Sequence, residues 1–368
     1  MKLALVHDWL NQIGGAEDVL TVLNDMYPDS PIFSSIYAPD VMPDYYRKWD
    51  IRTLWLDKLP GIYNHHQPYL PFYPLGWGRL DLSDYNVIFS NKSGFCHGTK
   101  YDKDTLHICY CLAPTRYVWQ LDAYIAREGL GKVVNLALRP LVSWLKRWDY
   151  AAAQRVNHFI AISSEIQQRI KTYYDRDSVI IYPPVDTTRF NVTGVEPEDY
   201  YLIVSRLIPY KRIDLAVQAA TKLNLPLKIS GKGRDLERLQ SMAGPTVEFL
   251  GYVPDDELPE LFAKCKAFIF PGLEDFGITP VQAQAAGRPV IAYGGGGALD
   301  TVIPGVGGEH FHEMTVESLA SVLESFDADK YDPDTMRQHA ARFDNSVFEQ
   351  KIRTFVRQAH EEFNKKMG

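Results

Sequence analysis

The chain has 368 residues, 46% hydrophobic and 23% charged, with a formal net charge of −7. At about 150 residues per domain this length suits two folded domains, and so high an apolar fraction excludes a disordered chain. The acidic balance excludes nucleic acid as the expected partner, because binding a phosphate backbone needs a net basic surface.

Charge and aromatic content divide unevenly. Residues 1–186 carry 19 basic and 20 acidic side chains, residues 187–368 carry 20 and 26, and all seven tryptophans fall between Trp9 and Trp148. The chain opens on Met1-Lys2-Leu3-Ala4-Leu5-Val6, followed at once by His7-Asp8, which is too short for a signal-peptide core. No run of about 18 apolar residues is present to cross a bilayer. A cytoplasmic protein is expected.

In chain order, KLALVHD reads as a strand, and the Gly14-Gly15 turn leads into an amphipathic helix. YNVIFSN, LHICYCL, HFIAIS and SVIIYPP read as further buried parallel strands. The segment 51–82 is dense in Trp, Tyr, Phe and Pro and suits no single regular element. The pattern breaks near Pro183-Pro184-Val185-Asp186, and YYLIVS starts a fresh alternation of strands and helices. The later strands are LPLKISG, VEFLGYV, AFIFPG and PVIAYG, with helices between them. NSVFEQKIRTFVRQAHEEFNKK has apolar residues at helical spacing and reads as one long C-terminal helix. The fold expected is α/β: two Rossmann-like, doubly wound parallel-sheet domains facing a cleft. Their spans are 1–186 and 187–345, with the helix 346–368 crossing back onto the first domain. Cys96, Cys109, Cys111 and Cys265 show neither a disulfide framework nor zinc spacing and read as reduced core residues.

The strongest chemical signal is residues 271–297. Glu274 follows a buried strand, then Phe276-Gly277-Ile278, and Thr279-Pro280 opens a helix. Proline suits a first helical turn, and the amides there suit an anion. A plain strand-turn-helix joint with an exposed acid is the alternative. In SRLIPYKR, Arg206 and Lys211 follow the first strand of the second domain, where two cations can neutralise a diphosphate; a solvated face is the alternative. Gly14-Gly15 lacks the GxGxxG fingerprint, so a nicotinamide cofactor is not supported.

Together HDWL, GGAE, PTRYVW at 114–119, RWDYAAAQRVNHFIAIS, YPPVDTTRF at 182–190, SRLIPYKR, VEFLGYV and EDFGITPVQAQAAGRPVIA resemble the family 4 retaining glycosyltransferases of the GT-B fold. Nearly the whole chain is covered. Within that family the likeness is to bacterial mannosyltransferases and enzymes that assemble exopolysaccharide or O-antigen. The resemblance implies transfer of a hexose from a GDP- or UDP-linked donor to a glycan or lipid-linked oligosaccharide, without a metal or other cofactor. It implies that Arg206 and Lys211 hold the diphosphate and that Glu274 contacts the transferred sugar. Phe276, Gly277, Ile278 and Thr279 would line the donor pocket, Gly14 and Gly15 would lie beside the diphosphate, and Leu250 and Tyr252 would stand in the segment that reads the base.

Two positions depart from the family pattern. Gln282 stands where a second Glu binds the donor ribose; its carbonyl still accepts one hydrogen bond, without the charge. Leu112 stands where relatives carry a His that touches the donor sugar. On the acceptor side, Arg116 and Tyr117 are candidates, as is His97 in SGFCHGTKY, or else His7; a structural role is the alternative for a lone histidine. The aromatic stretch 51–82 suits sugar rings or a lipid, or else packs between helices. LRPLVSWLKRWDYAAAQR suits either an anionic membrane face, making the protein peripheral on the inner membrane, or a buried helix with snorkelling cations. The alternatives to a glycan-assembling enzyme are a synthase of a small soluble glycoside and a catalytically weak sugar-nucleotide-binding partner subunit.

Overall fold

The computed structural model describes residues 1–121 and 132–367; Gly368, the last residue of the expected C-terminal helix, lies outside them. The chain forms two compact units, Met1–Tyr182 with Phe348–Gly368, and Pro183–Val347.

The first unit is built on seven parallel strands: β1 (Leu3–His7), β2 (Ile32–Ser34), β3 (Ile51–Thr53), β4 (Val87–Lys92), β5 (Leu106–Cys111), β6 (His158–Ala161) and β7 (Ser178–Ile180), in the order β3-β2-β1-β4-β5-β6-β7. β1, β4 and β5 are buried along their whole lengths, which is why they read as unbroken apolar runs. β2 and β3, which read Ile32-Phe33-Ser34 and Ile51-Arg52-Thr53, lie in no unbroken apolar run and were not foreseen. The helices are α1 (Gly15–Met26), α2 (Tyr73–Arg79), α3 (Arg116–Trp119), α4 (Lys132–Arg155) and α5 (Ser164–Tyr174).

The second unit holds β8 (Tyr201–Val204), β9 (Leu227–Ser230), β10 (Val247–Gly251), β11 (Ala267–Phe270), β12 (Val290–Tyr293) and β13 (Gly308–Phe311), in the order β10-β9-β8-β11-β12-β13. Its helices are α6 (Thr187–Phe190), α7 (Ile213–Leu223), α8 (Leu236–Ser241), α9 (Leu258–Lys264), α10 (Ile278–Ala285), α11 (Ala298–Thr301), α12 (Val316–Ser325) and α13 (Pro333–Ala340). The last helix, α14 (Asn345–Met367), starts in the second unit and packs on the first. There the Phe348 ring meets Tyr110, Phe355 meets His158, and Arg353 Nη1 donates to the Met26 carbonyl at 3.2 Å. Where the chain enters and leaves the second unit, Val185 pairs with Asp344, and Thr187 Oγ1 donates to Asp344 Oδ2 at 2.6 Å.

Each unit has its own core. In the first, Val6, Phe33, Ile88, Phe95 and Leu145 surround the fully buried Tyr73 and Trp77. The aromatic stretch 51–82 is thus partly core, whereas Trp55, Phe72 and Leu75 point outward. In the second, Ile203, Leu207, Val217, Ile229, Ile269 and Leu319 pack between sheet and helices. All four cysteines are free and buried, and burial pushes the Cys109 thiol up to about 12. Among the described residues no helix is long and apolar enough to cross a membrane.

Four histidines are held neutral, burial being the first cause in each. His66 and His339 are lowered to about 4, and His97 and His107 lie well below their usual value. The unfolded chain binds these protons below about pH 6.5 and the folded chain does not, so stability is complete above that pH and is lost towards pH 4. Each group contributes a slope of up to about 1.4 kcal/mol per pH unit. The thermal midpoint should therefore begin to drop just below pH 6.5, ahead of carboxylate titration; a midpoint flat down to about pH 5 contradicts this.

Candidate functional site

In a doubly wound sheet, ligands bind beyond the carboxyl ends of the strands where the strand order reverses. In the second unit that point lies between β8 and β11. The segments leaving these two strands are Ser205–Lys211 and Pro271–Gly277, so the topology brings Arg206, Lys211 and Glu274 to one place. Lys211 Nζ lies 2.5 Å from Glu274 Oε1, with both side chains largely buried. Arg206 is exposed, its Nη2 3.5 Å from Tyr210 Oη. Lys211 ends a short 3-10 turn, Pro209–Lys211, and Arg212 then takes a left-handed conformation (φ 53°) to enter α7.

The Glu274 loop is braced from behind. The Gly297 amide donates to the Glu274 carbonyl at 2.8 Å, and the Phe276 ring packs on Phe343. Gly277 caps α10 at φ 99°, a conformation that a side chain would strain. The helix starts at Ile278, one residue earlier than expected, so Pro280 is its third residue, where its missing N–H still costs no intrahelical bond. The first turn of α10 holds no acid. Its amides and the Arg206 guanidinium supply positive potential in an acidic half-chain, while the Lys211 charge is shared with Glu274. Thr279 and Gln282 lie half-buried on α10, while Leu250 and Tyr252 flank Gly251 at the end of β10.

Gly14 and Gly15 lie in the other unit, and there the start of α1 is already compensated. Glu17 and Asp18 occupy its first turn, and the Glu17 carboxylate is buried 3.3 Å from His7 Nε2. The reversal point of the first sheet, between β1 and β4, is filled by Asp8. Its Oδ2 accepts the Ser93 and Gly94 amides at 2.7 and 2.6 Å, and its Oδ1 accepts those of Phe95 and Cys96 at 2.6 and 2.8 Å.

His97 is corrected as an acceptor-side candidate. The ring is fully buried against Trp148 and Tyr174, with Nε2 3.3 Å from the Asp149 carbonyl, so it presents nothing to a ligand. Arg116 and Tyr117 stand half-buried on α3, and the Tyr117 ring packs against Trp9. Sequence reasoning missed what fixes α3. Asp149, fully buried on α4, accepts Thr115 Oγ1 at 2.8 Å, Trp119 Nε1 at 2.6 Å and Tyr174 Oη at 2.8 Å. Lys92, also fully buried, donates to the Ala113 carbonyl and to Thr115 Oγ1, both at 3.2 Å. Burial opposes its charge, but Tyr174 and Asp149 keep its pKa well above the usual lysine value. The Thr and Trp of PTRYVW are the only signal for this network. Among the described residues no three His, Cys, Asp or Glu stand together as metal ligands would.

The family described as Glycosyl transferases group 1 matches residues 185–343, a span that contains Arg206, Lys211, Glu274 and α10. Residues 185–343 are a glycosyltransferase group 1 domain. The chain is 30% identical over 176 residues to a GDP-mannose-dependent α-(1-6)-phosphatidylinositol monomannoside mannosyltransferase of Mycolicibacterium smegmatis, covering 40% of this chain and 46% of that one. It is 29% identical over 153 residues to the O-antigen chain mannosyltransferase RfbU of Salmonella typhimurium, covering 38% and 43%. The chain spans about half the length of these curated relatives. Among solved structures, Anabaena HepE in complex with UDP superposes with a TM-score of 0.70 at 18% identity, over 97% of this chain and all of that one. The sucrose-phosphate synthase of Thermosynechococcus elongatus gives 0.70 at 17% identity, over 96% and 98%. These likenesses extend the shared fold beyond the group 1 domain to both units: the fold is GT-B.

Proposed function

We propose that the protein is a retaining glycosyltransferase that moves a hexose from a nucleoside-diphosphate sugar, GDP- or UDP-linked, to a glycan or lipid-linked acceptor. The observation that carries this reading is the convergence of Arg206, Lys211, Glu274 and the acid-free start of α10 at the reversal point of the second sheet. The mannosyltransferases among the relatives and the UDP bound to HepE support the donor class.

In this reading the donor diphosphate lies against the two cations and the first-turn amides of α10. The bond from the sugar's anomeric carbon to the phosphate oxygen breaks, and the acceptor oxygen bonds to that carbon on the same face. The acceptor proton passes to the departing phosphate, so no side-chain nucleophile is needed. Charge grows on the leaving diphosphate, where Arg206 and Lys211 stabilise it without a metal ion or other cofactor. Glu274, paired with Lys211, offers carboxylate oxygens to sugar hydroxyls when the donor phosphate shares the lysine. Gln282, one turn into α10, replaces a charged ribose acceptor by a neutral one. Binding and turnover of nucleotide sugars test the reading.

The first unit is the proposed acceptor side, with Arg116 and Tyr117 as candidates and a membrane-bound acceptor favoured by α4. Arg139, Trp144, Arg147 and Tyr150 are all exposed on that helix, whereas its acid, Asp149, is buried. Such a basic, aromatic face suits anionic headgroups. The protein should sediment with anionic vesicles at low salt and lose this on Arg139→Glu with Arg147→Glu; absence of binding at low salt overturns the peripheral membrane role.

A further inference from the structure

Asp275, Phe276 and Gly277 alone separate Glu274 from α10, so the direction in which its carboxylate leaves the loop depends on what holds that loop from behind. Gln284, on α10, is fully buried there. Its Nε2 donates to the Pro280 carbonyl at 3.1 Å and to the Thr301 carbonyl at 2.7 Å, and its Oε1 lies 2.8 Å from His339 Nδ1. Carbonyls only accept, so both amide hydrogens are spent on them, and His339 carries its proton on Nδ1 to satisfy the oxygen. The orientation of the amide is thereby fixed. A side chain on Gly307 would collide with Oε1, so the backbone is bare where the amide needs room.

The bond to Thr301 extends to Glu274. Thr301 ends α11, a single turn, and its amide and hydroxyl both donate to the Gly297 carbonyl at 3.2 Å. The Gly297 amide in turn holds the Glu274 carbonyl. α11 is therefore a short link, tied at one end to Gln284 and at the other to the Glu274 loop. His339 stands where this link meets the apolar brace: its ring packs on Phe343 with 5.6 Å between centres, and Phe343 packs on Phe276 at 5.7 Å. At 0% and 7% exposed, Gln284 and His339 are too buried to touch a ligand themselves. We propose that Gln284, oriented by His339, is the positioning residue that aims Glu274 at the sugar of the donor. The inference rests on the donor reading above. The phosphate end of the site is independent of it, because Arg206 and Lys211 come from the loop after β8 and α10 keeps its own helical bonds.

Calorimetric titration of the full chain with GDP and UDP, and with GDP-mannose and UDP-glucose, tests this. Gln284→Met keeps the length of the side chain and removes its hydrogen bonds. It should weaken nucleotide-sugar binding about three- to tenfold and leave the bare nucleotide within about twofold. His339→Leu should do the same, whereas His339→Asn, which keeps an N–H near the position of Nδ1, should bind as the unaltered chain does. Added to Glu274→Gln, Gln284→Met should have less than about a twofold further effect, because a residue acting through Glu274 then has nothing left to aim. Nucleotide and nucleotide sugar weakened in step, or effects of the two substitutions that multiply, overturn the positioning role alone. So does a nucleotide-sugar affinity unchanged in Gln284→Met. An unaltered chain that binds neither GDP-mannose nor UDP-glucose overturns the donor reading, and the positioning role with it.

Discussion

Arg206→Ala should lower kcat about 100- to 1,000-fold while the apparent KM for the donor rises less than about tenfold. The asymmetry follows from where the charge appears. A bound donor diphosphate already carries negative charge, which Lys211 and the start of α10 meet in the ground state. The additional charge that forms as the sugar leaves falls on the oxygen nearest the cations. Arg206 is exposed and its Nη2 meets Tyr210 Oη at a long 3.5 Å, so it is not committed to a structural role, and its removal should leave stability within about 0.5 kcal/mol. Steady-state kinetics with the preferred nucleotide sugar, alongside a denaturation curve, separate the effects. Unchanged kcat refutes the role given to Arg206, and a rise in KM alone makes it a ground-state binding residue.

Asp8→Ala should destabilise the first unit by about 4 kcal/mol or more, a large part of a typical domain's 5–15 kcal/mol. The carboxylate accepts four consecutive backbone amides, Ser93 to Cys96, and is itself fully buried. Alanine leaves those donors without an acceptor where water has little access, at about 1–3 kcal/mol for each orphaned group. Asp8→Asn keeps one oxygen for two of the amides and turns an NH2 group towards the other two, so its loss should be intermediate. Tryptophan fluorescence in denaturant is the natural readout, because all seven tryptophans belong to the first unit. A variant within about 1 kcal/mol of the unaltered chain contradicts this account.

These two residues also mark where the sequence is legible. Arg206, Lys211 and Glu274 sit just after strands whose unbroken apolar runs are readable, and Gly277 and Pro280 mark the turn into α10, so motif and topology point to the same spot. Asp8 is different. Its partners lie 85 to 88 residues away, and no local pattern distinguishes a carboxylate aimed at buried amides from one aimed at water. Asp149 and Lys92 escaped for the same reason, being charged residues made tolerable by tertiary partners. The burial of His97 is more than a lone histidine in sequence can show: the Asp8 clamp holds the backbone before it and Trp148 covers the ring. The short strands β2, β3 and β13 were missed because Ile32-Phe33-Ser34, Ile51-Arg52-Thr53 and Gly308-Glu309-His310-Phe311 form no unbroken apolar run of readable length; neighbouring strands define them.

The central claim is that the reversal point of the second sheet holds a nucleoside-diphosphate sugar. Calorimetric titration of the full chain with GDP-mannose and UDP-glucose, repeated on the double variant Arg206→Ala with Lys211→Ala, tests it most directly. Saturable binding of at least one donor by the unaltered chain, lost in the double variant without loss of folding, is the predicted result. No binding of either donor at millimolar concentration, or equal binding by the double variant, would contradict it.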